Sequence, residues 1–442
     1  MVIQNYYKMA VCALKHVRIV ALLWICFAGL FFISCHKKES IPQVKGHVIA
    51  ETHNIKLIRV WGSHYERGFA QGYLLASNIK NIYEGYIQHL FGAHLYRAVD
   101  IVKDESLFKI DSIYHDEARG IVDGISYAAV EIKDFTHYHV LMSNIFLDIL
   151  GLSQMSALRD MRNLYGCSVL MSWGKSTSDA PELGGQSIVT RHLDWPVHED
   201  VVSNQVIVVH IPEESDEQQW LMIGFAGQIS VLSGINEKGY AVFLNMMNNY
   251  NEKQIPLPDR PFEPLGFVLR KAIEKKNTDN HKPNSIYDIK AAIKHNAHGY
   301  AEGYIVSAIG PVINADDTMP GFIAELAPTY PFITLRTMDD GDGIPGTHLY
   351  ASNTSVGRKP FEFCMRYNAI SHYLHRQHSL NAYNSWHIMR RYSTLENNIQ
   401  FMQFIPHSGL LRISLYQNNI PAYLNDFYIL NTRQLFIKTS LF

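Results

Sequence analysis

The chain has 442 residues, 47% of them hydrophobic and 18% charged, fractions that exclude disordered and fibrous architectures. Lys and Arg number 39 against 41 Asp and Glu, a formal charge of -2; with no basic run in the body of the chain, a nucleic-acid partner has no electrostatic footprint. Five cysteines do not make a disulfide scaffold, and a chain this long buries a sizeable core without one.

Lys8, Lys15, His16 and Arg18 precede an uncharged run over 19–34. That run spans about 24 Å as a helix, short for a bilayer, so residues 1–35 read as a secretory signal peptide. It ends in Phe32-Ile33-Ser34-Cys35, which resembles a bacterial lipobox, with cleavage before a cysteine that becomes lipidated. Besides a mistaken start codon, the other reading is a plain membrane anchor with an incidental cysteine. Either membrane reading exports the body of the protein, and a lipidated Cys35 would be its membrane contact. His36 stands where an Asp would favour inner-membrane retention, so the expected location is periplasmic or cell-surface, with the outer membrane favoured. Residues 36–54 form a polar tether.

From 55 to 158 apolar residues recur at helical spacing, predicting helices over 61–95, 111–130 and 137–150. Beyond Gly166 the texture changes to short β-rich runs at 167–173, 187–193, 205–211, 220–225, 229–235 and 240–245, separated by turn-rich loops. Helical patterns return at 264–274 and 285–295, strands at 304–308, 321–325 and 332–336, a helix at 360–375, and strands at 400–405 and 410–415. The acidic stretch 213–217 reads as a solvated hairpin tip. Strands grouped with helices at intervals predict a layered α+β body.

The chemistry concentrates around Cys167. Loss of the signal removes Cys12 and Cys26, leaving Cys35, Cys167 and Cys364; so few cysteines in an oxidising compartment point to one kept for reaction. Residues 165–173 read YGCSVLMSW and 187–196 read SIVTRHLDWP, with a Gly-, Asp- and Pro-containing loop between them. As a hairpin these runs are expected to set Cys167 opposite Asp194 with Arg191 close by, and a cation beside a thiol favours thiolate. The bland alternatives are a buried strand cysteine and an Arg191–Asp194 ion pair that holds a turn.

These residues resemble the N-terminal-nucleophile cysteine hydrolases of the penicillin (isopenicillin-N) acyltransferase-like branch, related to choloylglycine hydrolase, acid ceramidase and N-acylethanolamine acid amidase. HYERGFAQGYLLA (64–76) and DEARGIVDGISYA (116–128) look like the family's opening helices. YGCS looks like its Gly-Cys cleavage point, VTRHLDW its Arg-x-x-Asp pair, and SGINEKGYAVFLNMMNN (233–249) the following hairpin. YASNTSVGR (350–358) and CMRYNAI (364–370) look like its late Asn and Arg. His192 departs from the Asn common after that Arg.

The resemblance implies a four-layer αββα sandwich, with 55–166 a helical pro-segment or small subunit and 167–442 the catalytic core. It implies self-cleavage between Gly166 and Cys167, after which the cleaved segments remain associated. Cys167 would then be nucleophile and, through its α-amine, base. Arg191 would tune the thiol, Asp194 hold the ammonium, Asn245 serve the oxyanion, and Asn353 and Arg366 order the site. The implied reaction is hydrolysis of a small-molecule N-acyl amide through a thioester, with acyl transfer to another amine open. No cofactor or metal is implied. Asn245 is alternatively a turn residue in an Asn-rich loop, Arg358 rivals Arg366, and Cys364 reads as core.

Other motifs lead nowhere. His137/His139 and His295/His298 lack a third ligand nearby, and zinc needs three or four. Residues 339–343 are acidic but lack the distal Glu of a calcium loop. Two other functions fit the same fold: an ester or phospholipid acyl hydrolase, and a non-catalytic surface binding protein.

Overall fold

The computed structural model describes residues 43–52, 54–152, 166–248, 259–277, 285–313, 319–340, 344–358 and 363–437. The signal, Cys35 and the start of the tether lie outside the described residues, as do Tyr165 and 341–343. Among the described residues no helix is long and apolar enough to cross a membrane.

The strands are β1 (Gly46–Glu51), β2 (Ile55–Gly62), β3 (Gly166–Ser172), β4 (Ile188–Asp194) and β5 (Gln205–Pro212). Then come β6 (Trp220–Phe225), β7 (Ser233–Asn236), β8 (Ala241–Met246), β9 (Tyr304–Ile309) and β10 (Gly321–Leu326). The last are β11 (Ile333–Arg336), β12 (His348–Ala351), β13 (Asn398–Ile405), β14 (Leu410–Leu415) and β15 (Tyr428–Asn431). The longer helices are α1 (His64–Leu74), α2 (Leu95–Lys103), α3 (Ser112–Tyr127), α4 (His137–Asn144), α5 (Phe146–Leu152), α6 (Leu265–Glu274), α7 (Ile286–His295), α8 (Met365–Arg376) and α9 (Ala382–Tyr392).

One sheet has nine strands in the order β1-β2-β5-β6-β7-β8-β9-β10-β11, the other six in the order β12-β3-β4-β13-β14-β15. Side chains alternate across a strand, and the alternation sorts them into layers. Ile207 and Val209 of β5 join Val169, Met171 and Val189 in a core between the sheets. Val206 and Val208 turn the other way, onto Ile121 and Ile125 of α3 and Leu269 and Ile273 of α6. On the outside of the small sheet, Leu170, Tyr350 and Phe401 meet Ile370 and Leu374 of α8 and Ile388 and Met389 of α9. The order is therefore helix, sheet, sheet, helix, the expected αββα sandwich. Because both faces are covered, β5 reads as an almost unbroken apolar run.

Two readings of the early segment are corrected. Residues 55–62, expected to begin a helical region, form β2, which pairs in parallel with β5 from Ile55↔Gln205 to Gly62↔Pro212. Leu57 enters the inter-sheet core while Ile58 and Val60 lie beneath the helices, the period of a strand buried on both faces. Residues 46–51, expected in the tether, form β1 on the edge of the large sheet. Elements β12, α9 and β15 were not foreseen.

Helix α1 begins at a capping box, where Ser63 accepts from the Glu66 backbone and Glu66 caps Ser63 in return. Its Gly68 and Gly72 face Gly120 and Gly124 of α3. A Cβ on Gly68 would stand 2.0 Å from the Glu117 carbonyl oxygen, and one on Gly72 2.2 Å from that of Ile121. Only glycine permits this backbone-to-backbone approach. It brings His64 and Arg67 of α1 against Glu117 of α3.

Candidate active site

Strand β3 opens at Gly166, and Cys167 is buried at its second position. The β3–β4 register differs by one residue from the expected one: Gly166 pairs with Asp194 and Cys167 with Leu193. The connection contains Gly174, Gly184 and Gly185, all at positive φ, and Gly174 donates to the Gly185 carbonyl. These glycines set the turn, and the turn sets the register. Cys167, Leu193 and Arg191 consequently share the face towards the large sheet. Asp194 belongs to the other face, with Thr190, which bonds Ser385 of α9. Gly166 has no room for a side chain: a Cβ there would lie 2.5 Å from Leu395 Cδ1 and 3.0 Å from Asp194 Oδ2.

The other expected residues converge on this strand end. Asn353, just after β12, accepts the Cys167 backbone N–H on Oδ1 at 2.8 Å and donates from Nδ2 to the Met246 carbonyl at 2.8 Å. Arg366 of α8 donates to Asn353 Oδ1 at 2.7 Å and to the Cys167 carbonyl at 3.2 Å, and stands 3.5 Å from Asp194 Oδ2. Asn245 donates to the Ser352 carbonyl at 3.2 Å; its Oδ1 has no partner among the described residues. Arg191 donates to the Leu244 carbonyl at 2.9 Å and lies over the Phe243 ring. Its Nε and Nη1, both buried, have no hydrogen-bond partner among the described residues.

The electrostatics follow from burial. Desolvation pushes the Cys167 thiol up to about 11; Arg191 and Arg366 pull it down and Asp194 pushes it up. The thiol of the intact chain is therefore protonated at neutral pH. Burial also raises Asp194, to about 6, with Arg366, Asn398 and Arg191 opposing. His192, beside them on β4, is driven down to about 3, chiefly by burial, and is neutral. The buried Arg191 and the partly buried Arg366 thus face one carboxylate and one thiol, and both lower the thiol's pKa without overcoming its burial.

Arg358, the rival cation, is committed elsewhere, donating to the Pro331 and Thr329 carbonyls. Cys364 is half-buried at the N-cap of α8, 3.4 Å from Ser352 Oγ, rather than inside the helix. Asn398, fully buried, donates to Asp194 Oδ1 at 2.8 Å; no motif marks it, because it lies 204 residues from its partner.

The acidic stretch 213–217 does form an exposed tip between β5 and β6 at Glu213, Ser215 and Asp216, but not at its other two carboxylates. Glu217 is buried, 3.0 Å from His64 Nε2 and 3.1 Å from Arg67 Nη2, while Glu214 pairs with Arg67 Nη1 at 3.0 Å. His64, Glu214 and Glu217 have ligand atoms close enough for a cation, but Arg67 and Lys275 already neutralise the carboxylates.

A cleft of about 80 Å³ lies at Trp195. Its walls include Trp195, which follows Asp194, then Ile82, Tyr83 and Tyr86 from before Gly166 and Phe225 and Leu232 from after it. Its polar groups are bonded to one another: Asn144 Oδ1 accepts from the Ile229 and Ser230 amides, and Trp195 Nε1 donates to the Tyr86 hydroxyl. The cleft therefore presents apolar surface.

No protein-family model matches the chain. Protein dcd1B of Dictyostelium discoideum is 20% identical over 253 residues, 54% of this chain and 46% of its own length; the chain spans about half the length of that curated relative. Among solved structures, the Caenorhabditis elegans N-acylethanolamine-hydrolyzing acid amidase ortholog is 13% identical, covering 60% of this chain and 100% of its own at a TM-score of 0.39. A mutant conjugated bile acid hydrolase from Clostridium perfringens is 12% identical, covering 60% and 93% at 0.31. Penicillin V acylase from Agrobacterium tumefaciens is 12% identical, covering 56% and 83% at 0.32. At these identities and scores the likenesses carry no argument about activity.

Proposed function

We propose that this chain is an autoprocessing cysteine amidohydrolase that cleaves a non-peptide C–N bond of an N-acyl amide. The observation that carries the reading is the setting of Cys167. Its backbone nitrogen is held by a buried Asn353, its carbonyl by Arg366, and its thiol lies beside a buried Arg191 with unused donors. A strand cysteine with a merely structural role needs none of these groups.

In the first step the Cys167 sulfur adds to the Gly166 carbonyl carbon, the thiol proton passes to the Cys167 nitrogen, and the Gly166–Cys167 C–N bond breaks, leaving a thioester and a free α-amine. Water then hydrolyses the Gly166 thioester to a carboxylate and a free thiol. The new α-amine, of ordinary pKa near 7.7–8.0, takes the proton of its own thiol, so nucleophile and base are one residue. The thiolate attacks the substrate carbonyl, the ammonium protonates the departing amine, and water releases the acid from the thioester. Asp194 holds the ammonium, and Arg191 stabilises the thiolate. Asn245, freed from the Ser352 carbonyl, donates to the oxyanion, a contribution of about 3–4 kcal/mol for comparable donors. The cleft at Trp195 takes an apolar acyl group.

The test is intact mass of the protein expressed without residues 1–35, beside Cys167→Ala. Two fragments separating at Gly166–Cys167, absent in the variant, are expected, together with Cys167-dependent release of amine from N-acyl amides in preference to matched esters. An uncut chain at both mildly acidic and neutral pH would sink the reading.

A further inference from the structure

We propose that Asn398 is a positioning residue for Asp194, holding one carboxylate oxygen so that the other faces the Gly166–Cys167 junction. The inference rests on Cys167 being the nucleophile and goes beyond it, because Asn398 touches neither the thiol nor the scissile bond.

Gly166, Asp194 and Asn398 form one row across β3, β4 and β13. The β13 register breaks at this point, the pairing passing from Asn398↔Asp194 to Gln400↔Leu193. The extra residue, Ile399, drops into the apolar core. Such bulges re-aim a neighbouring side chain, and this one turns the Asn398 amide onto Asp194. Both ends of that amide are committed. Nδ2 donates to Asp194 Oδ1 at 2.8 Å, with the Gln400 and Leu193 carbonyls at 3.0 and 3.3 Å. Oδ1 accepts the Tyr423 N–H at 3.1 Å. The Tyr423 bond fixes the amide orientation, because only an oxygen accepts it.

Asp194 Oδ2, by contrast, has no hydrogen-bond partner among the described residues. It lies where a Gly166 side chain would stand, 3.0 Å from that Cβ position, with Arg366 Nη1 at 3.5 Å. A buried carboxylate oxygen without a donor is costly. The ammonium freed at Cys167 after cleavage is the donor it lacks, and Asn398 determines which oxygen waits for it.

The charged and titratable groups facing Asp194 are Arg366 from α8, Arg191 and neutral His192 from β4, and Cys167 from β3. With the Asn398 donor gone, only Arg366 and Arg191 oppose desolvation. Asp194 then protonates at higher pH, and the acid limb of any rate that needs its anion moves upward.

Asn398→Ala and Asn398→Asp test this; the Asp variant keeps an acceptor for the Tyr423 amide, and circular dichroism checks that each variant is folded. The Ala variant is expected to move the acid limb of Cys167-dependent cleavage and turnover up by about one pH unit, a loss of about fivefold at pH 6 that alkaline buffer restores, and the Asp variant, which sets a second carboxylate against Asp194, at least as far. A loss equal at every pH, with the limb unmoved, would mean a structural role only and would overturn the proposal. A second readout needs no activity: the Asp194 carboxyl carbon is titrated by NMR in Cys167→Ala, assigned by its loss in Asp194→Asn, with and without Asn398→Ala. A midpoint that does not rise also overturns the proposal. Absence of cleavage in the unsubstituted chain would instead defeat the nucleophile reading, leaving the titration to decide the Asn398–Asp194 contact.

Discussion

Glu117→Gln is the sharpest test of what holds the two segments together. Glu117 of α3 is fully buried, and its Oε2 lies 2.6 Å from Arg270 Nη2 and 2.8 Å from His64 Nδ1. Arg270 also pairs with Glu274 at 2.8 Å and lies between the Tyr114 and Trp220 rings. His64, Arg67, Tyr114 and Glu117 precede Gly166; Glu214, Glu217, Arg270, Glu274 and Lys275 follow it. Removing one member of a buried pair strands the other charge, at a cost of about 3–5 kcal/mol. The imidazolium of His64 gives an independent figure. Burial alone would lower its pKa, but bonds to Glu117 and Glu217 outweigh that and raise it from 6.5 to about 9. That shift corresponds to about 3 kcal/mol. The folded value exceeds the unfolded one, so this contribution is complete below pH 6.5 and lost as pH rises through about 9. Urea denaturation should therefore show Glu117→Gln weakened by about 3–5 kcal/mol at pH 6, with a smaller decline towards pH 9.5 than the unsubstituted chain. Glu117→Leu/Arg270→Met, which strands less charge, should lose less than Glu117→Gln. A Glu117→Gln loss below about 1 kcal/mol would refute the idea that Arg270 and His64 depend on Glu117 for their burial.

Three shorter predictions follow from the same geometry. Gly72→Ala should cost about 1–3 kcal/mol, read from the thermal midpoint, because its Cβ meets the Ile121 carbonyl oxygen at 2.2 Å. Arg191→Met should fold with undiminished stability, since a buried charge with unused donors is removed. It should nevertheless slow Gly166–Cys167 cleavage at least about a hundredfold, by mass spectrometry, as the thiol loses the cation that favours its anion. The proposed lipid anchor predicts fatty-acid labelling of the full chain in a bacterial host, abolished by Cys35→Ser; labelling that survives would rule Cys35 out.

Parts of this protein were legible in its sequence because the relevant forces are local. Strands β3 to β10 announced themselves by short apolar runs between Gly, Pro, Asp and Asn, and α6 and α7 by their periodicity. Cys167, Arg191 and Asp194 were found as neighbours across one turn. Legibility failed where the cause was distant. Strand β2 resembles a helical segment until β5, some 150 residues later, supplies its ladder. The one-residue register error came from a turn whose glycines take positive φ, a conformation that spacing does not reveal. Glu214 and Glu217 read as part of a solvated tip because the arginine and histidine that pair with them belong to α1. Asn398 was invisible for the same reason: its role depends on a bulge that only the assembled sheet imposes.

The same topology decides whether the segment before Gly166 is a dispensable leader. It supplies β1 and β2, half of the buried charge network and much of the cleft wall. Without it β5, apolar on both faces, becomes an unpaired edge, an invitation to aggregate. Arg270 loses Glu117, and Glu217 loses His64 and Arg67. Residues 167–442 expressed alone should therefore be insoluble or molten, whereas co-expression with residues 43–166 should yield a soluble complex that co-purifies. Cleavage would then leave two chains joined by the β2–β5 ladder and the ion pairs, and they should separate only when the whole protein unfolds. Size-exclusion chromatography of cleaved protein across a urea series decides it. Fragments that part at a urea concentration where the β-sheet circular dichroism is intact would show that the early segment is peripheral, and that the sheet does not depend on it.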